Sequence, residues 1–450
     1  MPMLSVNPAD GAVLSVLYGT DAMRALVGER AFLARMLEVE AALARAQAKL
    51  GIIPAEAADA ITEAAQLEKL DLPALARATR NTGYPVVGLV KQLSALAGAE
   101  AGRWTHWGAT TQDIIDTAIV LQLRDAFALL DADLARLNAA LGARAREHRD
   151  TVMAGRTHLQ HALPLTFGYK CAIWLSPLIT MRERIAQLLP RLLKVQFGGA
   201  AGTLASLGDQ GLAVAEGLAA ELDLAVPDAP WHVARDGMAE AVCLLGLLTG
   251  ALSKFATDIM LLMQTEVAEV FEPHAPGRGG SSTMPQKRNP IACEYVLAQA
   301  RGVQALVPQM LAAMAVDQER GTGPWQAEPL ALPQAFTLAH GALDQARFIA
   351  EGMVVDAARM RRNLDSTGGL IVAEAVMMGL APHLGRGGAH DAVHHACDLA
   401  LEAGIPLAEA LGRDPCVTGV ISAEQIARLT DPSHYLGCAG AFIDRVLARL

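Results

Sequence analysis

Apolar residues recur along most of this chain at the three-to-four-residue spacing of helices, and almost nowhere with the alternation of strands. Over 29–50, Phe32, Leu33, Met36, Leu37, Val39 and Leu43 fall on one face, and Gly51 ends the run. The stretch 114–149 predicts one long helix interrupted only at Gly142. Residues 165–195 continue in the same style, with Pro177 and Pro190 as kinks or breaks. Two more apolar-rich helical segments follow at 239–270 and 290–314. Beyond them 368–450 is punctuated by Gly and Pro, which predicts short helices and turns. The pattern argues against a doubly wound sheet and for an all-α chain.

The central segments are apolar around most of their circumference, so they must be buried, and a bundle shared between subunits is the economical way to bury them. At 450 residues the chain has room for two to four domains. It is 52% hydrophobic but only 4% aromatic, which favours small-residue helix packing over a β-sandwich. A net charge of -10 with no long basic run argues against nucleic acid as a partner, so an anionic substrate needs a local basic pocket. Six scattered cysteines with no C-x-x-C pair fit a reduced, cytoplasmic protein. Residues 1–19 lack the basic start and apolar core of a signal peptide. The longest uncharged apolar run, 241–253, is too short to span a bilayer, so the expectation is a soluble protein with no membrane partner.

Chemistry concentrates in three polar segments. Gly279-Gly280-Ser281-Ser282-Thr283-Met284-Pro285-Gln286-Lys287-Arg288-Asn289-Pro290 joins two hydroxyls, two cations and an amide within a Gly-flanked loop. Such groups move protons and hold carboxylates. Asn289-Pro290 reads as a helix cap followed by proline at the first helical position. His106-Trp107-Gly108-Ala109-Thr110-Thr111-Gln112-Asp113 precedes the first long helix and puts Thr110, Thr111 and Asp113 where free backbone N–H groups bind an anion. Gly155-Arg156-Thr157-His158-Leu159-Gln160-His161 carries two histidines three residues apart, with no third ligand at a metal-binding spacing. His390, His394, His395 and Cys397 read as a helix surface rather than a metal site, and the glycines of 196–203 lack dinucleotide-loop spacing.

The Ser281–Asn289 loop resembles the signature loop of the fumarase/aspartase superfamily, with Gly280, Ser281, Ser282, Met284, Pro285, Lys287 and Asn289 at matching positions. The other two segments resemble further segments of that superfamily, Thr111 replacing its usual Ser. The resemblance implies a three-domain, all-α subunit with a long central helix bundle, assembled as a homotetramer whose active sites are shared between subunits. Domains are expected at 1–106, 107–355 and 356–450.

The implied reaction is anti β-elimination, or its reverse, on a small succinate-like polycarboxylate, without metal or organic cofactor. Ser281 is implied as the base beside a carboxylate. Lys287, Asn289 and backbone N–H groups would stabilise the aci-carboxylate. His158 is the candidate acid, with His106 as the alternative. Thr110, Thr111, Gln112, Arg156, Thr157, Gln160, Ser282 and Met284 are implied around the substrate, and Arg235 and Arg320 either bind it or brace its pocket.

Over nearly its whole length the chain also resembles bacterial 3-carboxy-cis,cis-muconate cycloisomerases, for example at Leu262–Glu266, Phe271–Pro273 and His434–Gly437. Those enzymes share the lack of a His at the position of His158 and of an acid at that of Glu294. Adenylosuccinate lyase and its relatives have both. An amine leaving group needs a proton that an internal carboxylate addition does not. The expectation is therefore a C–N lyase releasing fumarate from an N-substituted aspartate, with His158 and Glu294 paired, and a lactonising cycloisomerase as the alternative.

Overall fold

The computed structural model describes residues 7–274, 279–280, 284 and 286–450. Long helices dominate it, and the apolar runs in the sequence account for them. Glu29–Lys49 buries Leu33, Met36, Leu37, Val39 and Leu43, the face expected from spacing. Thr111–Glu147 runs 37 residues without a break at Gly142. There a β-carbon would lie 2.5 Å from Leu450, so glycine answers a close approach rather than ending a helix.

Phe167–Leu192 passes through both Pro177 and Pro190. It starts later than periodicity predicts, because Val152–Thr157 and Gln160–Thr166 form an antiparallel hairpin that the helical reading did not foresee. Ile291–Ala312 and Pro324–Gly352 are two further long helices. Val270–Phe271 pairs with Val354–Val355 as a second, two-residue ladder.

Asp236–Met263 is 28 residues long and apolar enough, by length and composition, to cross a membrane. More than half of its apolar window is buried within the chain, through residues such as Val242, Leu245, Leu248, Phe255 and Ile259, as in a core helix.

The chain divides into two compact units. One comprises Met1–Leu134, Met181–Leu252 and Tyr295–Asp344; the other comprises Ala135–Thr180, Ser253–Glu294 and Gln345–Leu450. The boundaries fall inside the long helices. Within the second unit the C-terminal helices have a core of their own around Val376, Leu380, Leu407, Leu411 and Ile426. There Ala373–Ala403 bends at Gly385, whose φ of 70° is left-handed. His390, His394 and His395 lie on its exposed face, and all six cysteines are free thiols.

Candidate active-site residues form two constellations

In the first unit the polar segment 106–113 is held by a buried network. Thr110 immediately precedes Thr111–Glu147, and the Asp113 carboxylate reaches back to accept from the Thr110 amide at 2.9 Å. The same carboxylate accepts from the amides of Gly198 and Gly199 at 2.9 and 3.0 Å and faces His232 Nε2 at 2.7 Å. The glycine-rich turn thus docks onto the helix start, and a β-carbon at Gly198 would meet Pro230 and His232 within 3 Å.

One turn on, Asp116 accepts from Arg235 through both oxygens, from Gln112 Nε2 at 3.0 Å and from Trp325 Nε1 at 3.1 Å. Arg235 is 2% exposed and also donates twice to Glu328. It is therefore bound up in bracing. Arg320 donates to Thr110 Oγ1 at 2.9 Å and to the Ala200 carbonyl, which ties a further segment to the same helix start. Thr111 and Gln112 sit at the first positions of the helix, where backbone N–H groups have no intrahelical acceptor.

His106 stands beside this helix start with φ at 62°, a conformation few histidines adopt. Its Nδ1 lies 2.6 Å from Oε1 of Glu40, whose side chain is fully buried. Burial opposes charge on the imidazole, but the Glu40 carboxylate outweighs it and Asp113 adds to it, so His106 titrates above its ordinary value.

The second unit carries the hairpin and the signature loop. His158 and Leu159 form the two-residue hairpin turn, both with positive φ (51° and 65°), which exposes the His158 ring at the tip between Thr157 and Gln160. Arg156 points back from the hairpin and donates to both oxygens of buried Glu269, at 3.0 and 2.6 Å, while Asn363 donates to Glu269 at 2.8 Å. Arg156 thus anchors the hairpin. His161 is pushed down by burial and by neighbouring Arg156, against the pull of Glu269.

Ser281 and Ser282 lie outside the described residues. The base of their loop is closed where Gly280 bridges Arg288 and the Asn289 amide donates to the Gly279 carbonyl at 3.0 Å. Arg288 donates to the Glu272 carbonyl and stacks over Phe271. The Glu272 carboxylate accepts from the amides of Ala292 and Cys293 at 3.1 and 2.8 Å, capping the helix that follows the loop. Lys287 is exposed and lines a cavity of about 790 Å³ with Asn289, Met284, Gln264 and Thr265.

His158 and Glu294 are both exposed, and among the described residues neither hydrogen-bonds the other. A carboxylate-oriented imidazole stands instead at His106, on Glu40. Glu40 was missed from sequence, although it recurs with Leu33, Leu37, Ala44 and Gln47 on the buried face of its helix, an acid where apolar residues belong. Asp116, Glu269, Glu272 and Glu328 were missed too. Each is an unremarkable acid in sequence, identified only by its distant partners.

A lyase family profile matches residues 17–305, and a profile for the adenylosuccinate lyase C-terminus matches 369–446. The chain belongs to the fumarase/aspartase superfamily of lyases. It is 49% identical to a 3-carboxy-cis,cis-muconate cycloisomerase of Pseudomonas aeruginosa over 95% of this chain and 94% of that one. It is 44% identical to a nitrosuccinate lyase of Streptomyces davaonensis over 97% and 94%. A crystal structure of a fumarate lyase from Mesorhizobium sp. BNC1 superposes with a TM-score of 0.90 at 51% identity, covering 96% of this chain and 98% of that one. The all-α subunit of this superfamily is the fold seen here.

Proposed function

We propose that this superfamily enzyme lactonises a 3-carboxy-cis,cis-muconate-type substrate. The observation that carries the reading is its similarity, over nearly the full length of both chains, to the Pseudomonas aeruginosa cycloisomerase. In this reaction an internal carboxylate oxygen forms a bond to one end of a conjugated double bond. The electron pair moves to the carbon beside another carboxylate and is held there as an aci-carboxylate until that carbon takes a proton. No atom is lost, and the step is the intramolecular reverse of β-elimination.

Lys287 and Asn289 would stabilise the aci-carboxylate, Ser281 would exchange the proton at the carbon, and the helix start at Thr110–Gln112 would hold a further carboxylate. Arg156, Arg235 and Arg320 act by bracing. A homotetramer would bring the two constellations together from different subunits. The exposed Ile173, Leu247 and Leu330 on the long helices support such an assembly.

A second reading, a lyase releasing fumarate from an N-substituted aspartate, is favoured by the presence of both His158 and Glu294 and by the similarity to the nitrosuccinate lyase. One assay separates the two. Purified enzyme is given 3-carboxy-cis,cis-muconate beside a panel of N-substituted succinates, with ultraviolet absorbance and mass spectrometry as readouts. Loss of the diene with no fumarate from any substrate supports the cycloisomerase. Fumarate from an aspartate derivative overturns it in favour of the lyase.

A further inference from the structure

Beyond the Gly385 bend, Ala373–Ala403 turns Ala389, Ala392, Val393, Ala396 and Ala400 into the core of the C-terminal helices. That spacing of three and four seats the helix on its neighbours and leaves 390, 391, 394, 395 and 398 facing outward. His390 and His394 therefore stand one turn apart on the same exposed face, where side chains at this spacing meet. Their side chains are 64% and 68% exposed, and their rings tilt by 36° with centroids 6.1 Å apart. Each ring has a carboxylate behind it. Nδ1 of His394 lies 3.0 Å from Asp398, and Nδ1 of His390 lies 3.4 Å from Asp391. An imidazole that donates Nδ1–H to a carboxylate presents the lone pair of Nε2, and the carboxylate raises the basicity of that nitrogen.

We propose that His390 and His394 form a chelating site for a divalent transition-metal ion of the copper and nickel class, held by both Nε2 atoms. Two histidines four residues apart on one helix face are a recurring metal-binding pair, and imidazole suits these ions. An ion about 2 Å from each nitrogen needs the rings slightly closer than they stand, a rotation open to exposed side chains. Sequence alone reads this segment as helix surface, and among the described residues no three side chains close around an ion. The site is therefore open, with water completing the coordination. Tetragonal copper or nickel accepts that arrangement, whereas structural zinc calls for four protein ligands.

Nothing in this site depends on the reaction proposed above. A bound ion ties the ends of one helical turn together, just after the bend at Gly385, so it should stiffen that stretch of the helix. His395 provides a control within the same segment. It is as exposed as its neighbours, at 72%, but lies a third of a turn round the helix from His394 and faces Asp414 at 3.6 Å. Cys416 is an exposed thiol beside that same aspartate, which accepts from its amide at 2.8 Å. An ion drawn to the thiol would therefore answer to His395 and Cys416 and not to the paired rings.

The test titrates nickel chloride calorimetrically into the full-length protein at about pH 7.5, where free imidazole is largely unprotonated. Wild type should show a saturable nickel site. His390→Asn and His394→Asn should each weaken it roughly tenfold or more, because each removes one of the two protein ligands. Asp398→Asn should weaken it less, since it takes away only the carboxylate behind one ring. His395→Asn and Cys416→Ser should bind as wild type does. Nickel should slow hydrogen exchange across residues 389–400 in wild type and leave it unchanged in His394→Asn. Anomalous diffraction from nickel-soaked crystals of wild type should place the ion between the two Nε2 atoms, and this decides the matter if a variant does not fold. Absence of a saturable site, undiminished binding by either His390→Asn or His394→Asn, or loss of binding in His395→Asn or Cys416→Ser would overturn the proposal.

Discussion

Two buried carboxylates, Asp116 and Glu328, share the single guanidinium of Arg235. The excess negative charge shows in Glu328: burial pushes its carboxyl up, Arg235 pulls the other way, and Asp116 adds to the rise, leaving it above the ordinary carboxylate range. An unfolded glutamate gives up its proton in that ordinary range while the folded chain still holds it. Between the two values the folded state therefore binds more protons, and this site subtracts stability as pH rises. Glu328→Gln removes the effect, so the difference in melting temperature between variant and wild type should move in the variant's favour from about pH 4.5 towards neutrality. Thermal melts across that range test it, and a constant difference would refute the sign. Arg235→Met should be far worse, because it strands both acids: a loss of about 3–5 kcal/mol, read from denaturant unfolding, is expected. None of this is legible from Arg235 in sequence, where an arginine beside Trp231 and Asp236 reads equally well as a substrate ligand. Its role is fixed by Asp116, 119 positions away, and by Glu328, 93 away.

Helices were legible because each declares its own apolar face, and the structure returns 29–50 and 114–149 nearly as spacing predicts. The hairpin at 152–166 was not, since its strands lack clean alternation and its turn, His158-Leu159, contains none of the glycine or asparagine that positive φ favours. Helix starts show the same divide. Asn289-Pro290 announces a helix, yet the acceptor for the buried first-turn amides of Ala292 and Cys293 is Glu272, supplied from before the loop. Glu272→Ala should therefore leave two donors without partners in a buried place, at about 1–3 kcal/mol each before water enters. Faster hydrogen exchange at those two amides and a lower kcat are expected, with other helices still protected. Gly279→Ala probes the other side of the loop base. At φ 69° a side chain costs roughly 1–2 kcal/mol, and the new β-carbon would sit 3.0 Å from the Asn289 carbonyl. Activity should fall while the fold, followed by circular dichroism, is kept. Unchanged activity would mean that the closed base does not position Lys287.

At the scale of the whole molecule, the two constellations pose a question of assembly. His106, Thr110 and Thr111 belong to one compact unit, and His158, Lys287 and Asn289 to the other. The long helices also present Leu247 and Leu330 to solvent in the single chain, at 54% and 71% exposure. Apolar side chains so exposed on core helices call for a partner surface. If subunits donate different constellations to each site, then two inactive variants damaged in different constellations should repair one another. His106→Asn chains carry an intact loop base, and Lys287→Ala chains carry an intact helix start. Mixed assemblies of the two will contain some sites in which both halves are undamaged. Coexpression of the pair, separated by different affinity tags, should then give hetero-oligomers with measurable activity where each homo-oligomer has almost none. Leu330→Glu, which places a charge on the proposed contact, should shift sedimentation to smaller species and abolish that recovery. Hetero-oligomers that form but stay as inactive as their parents would mean that each chain builds its own complete site, and the case for sharing would fall while both local networks stand.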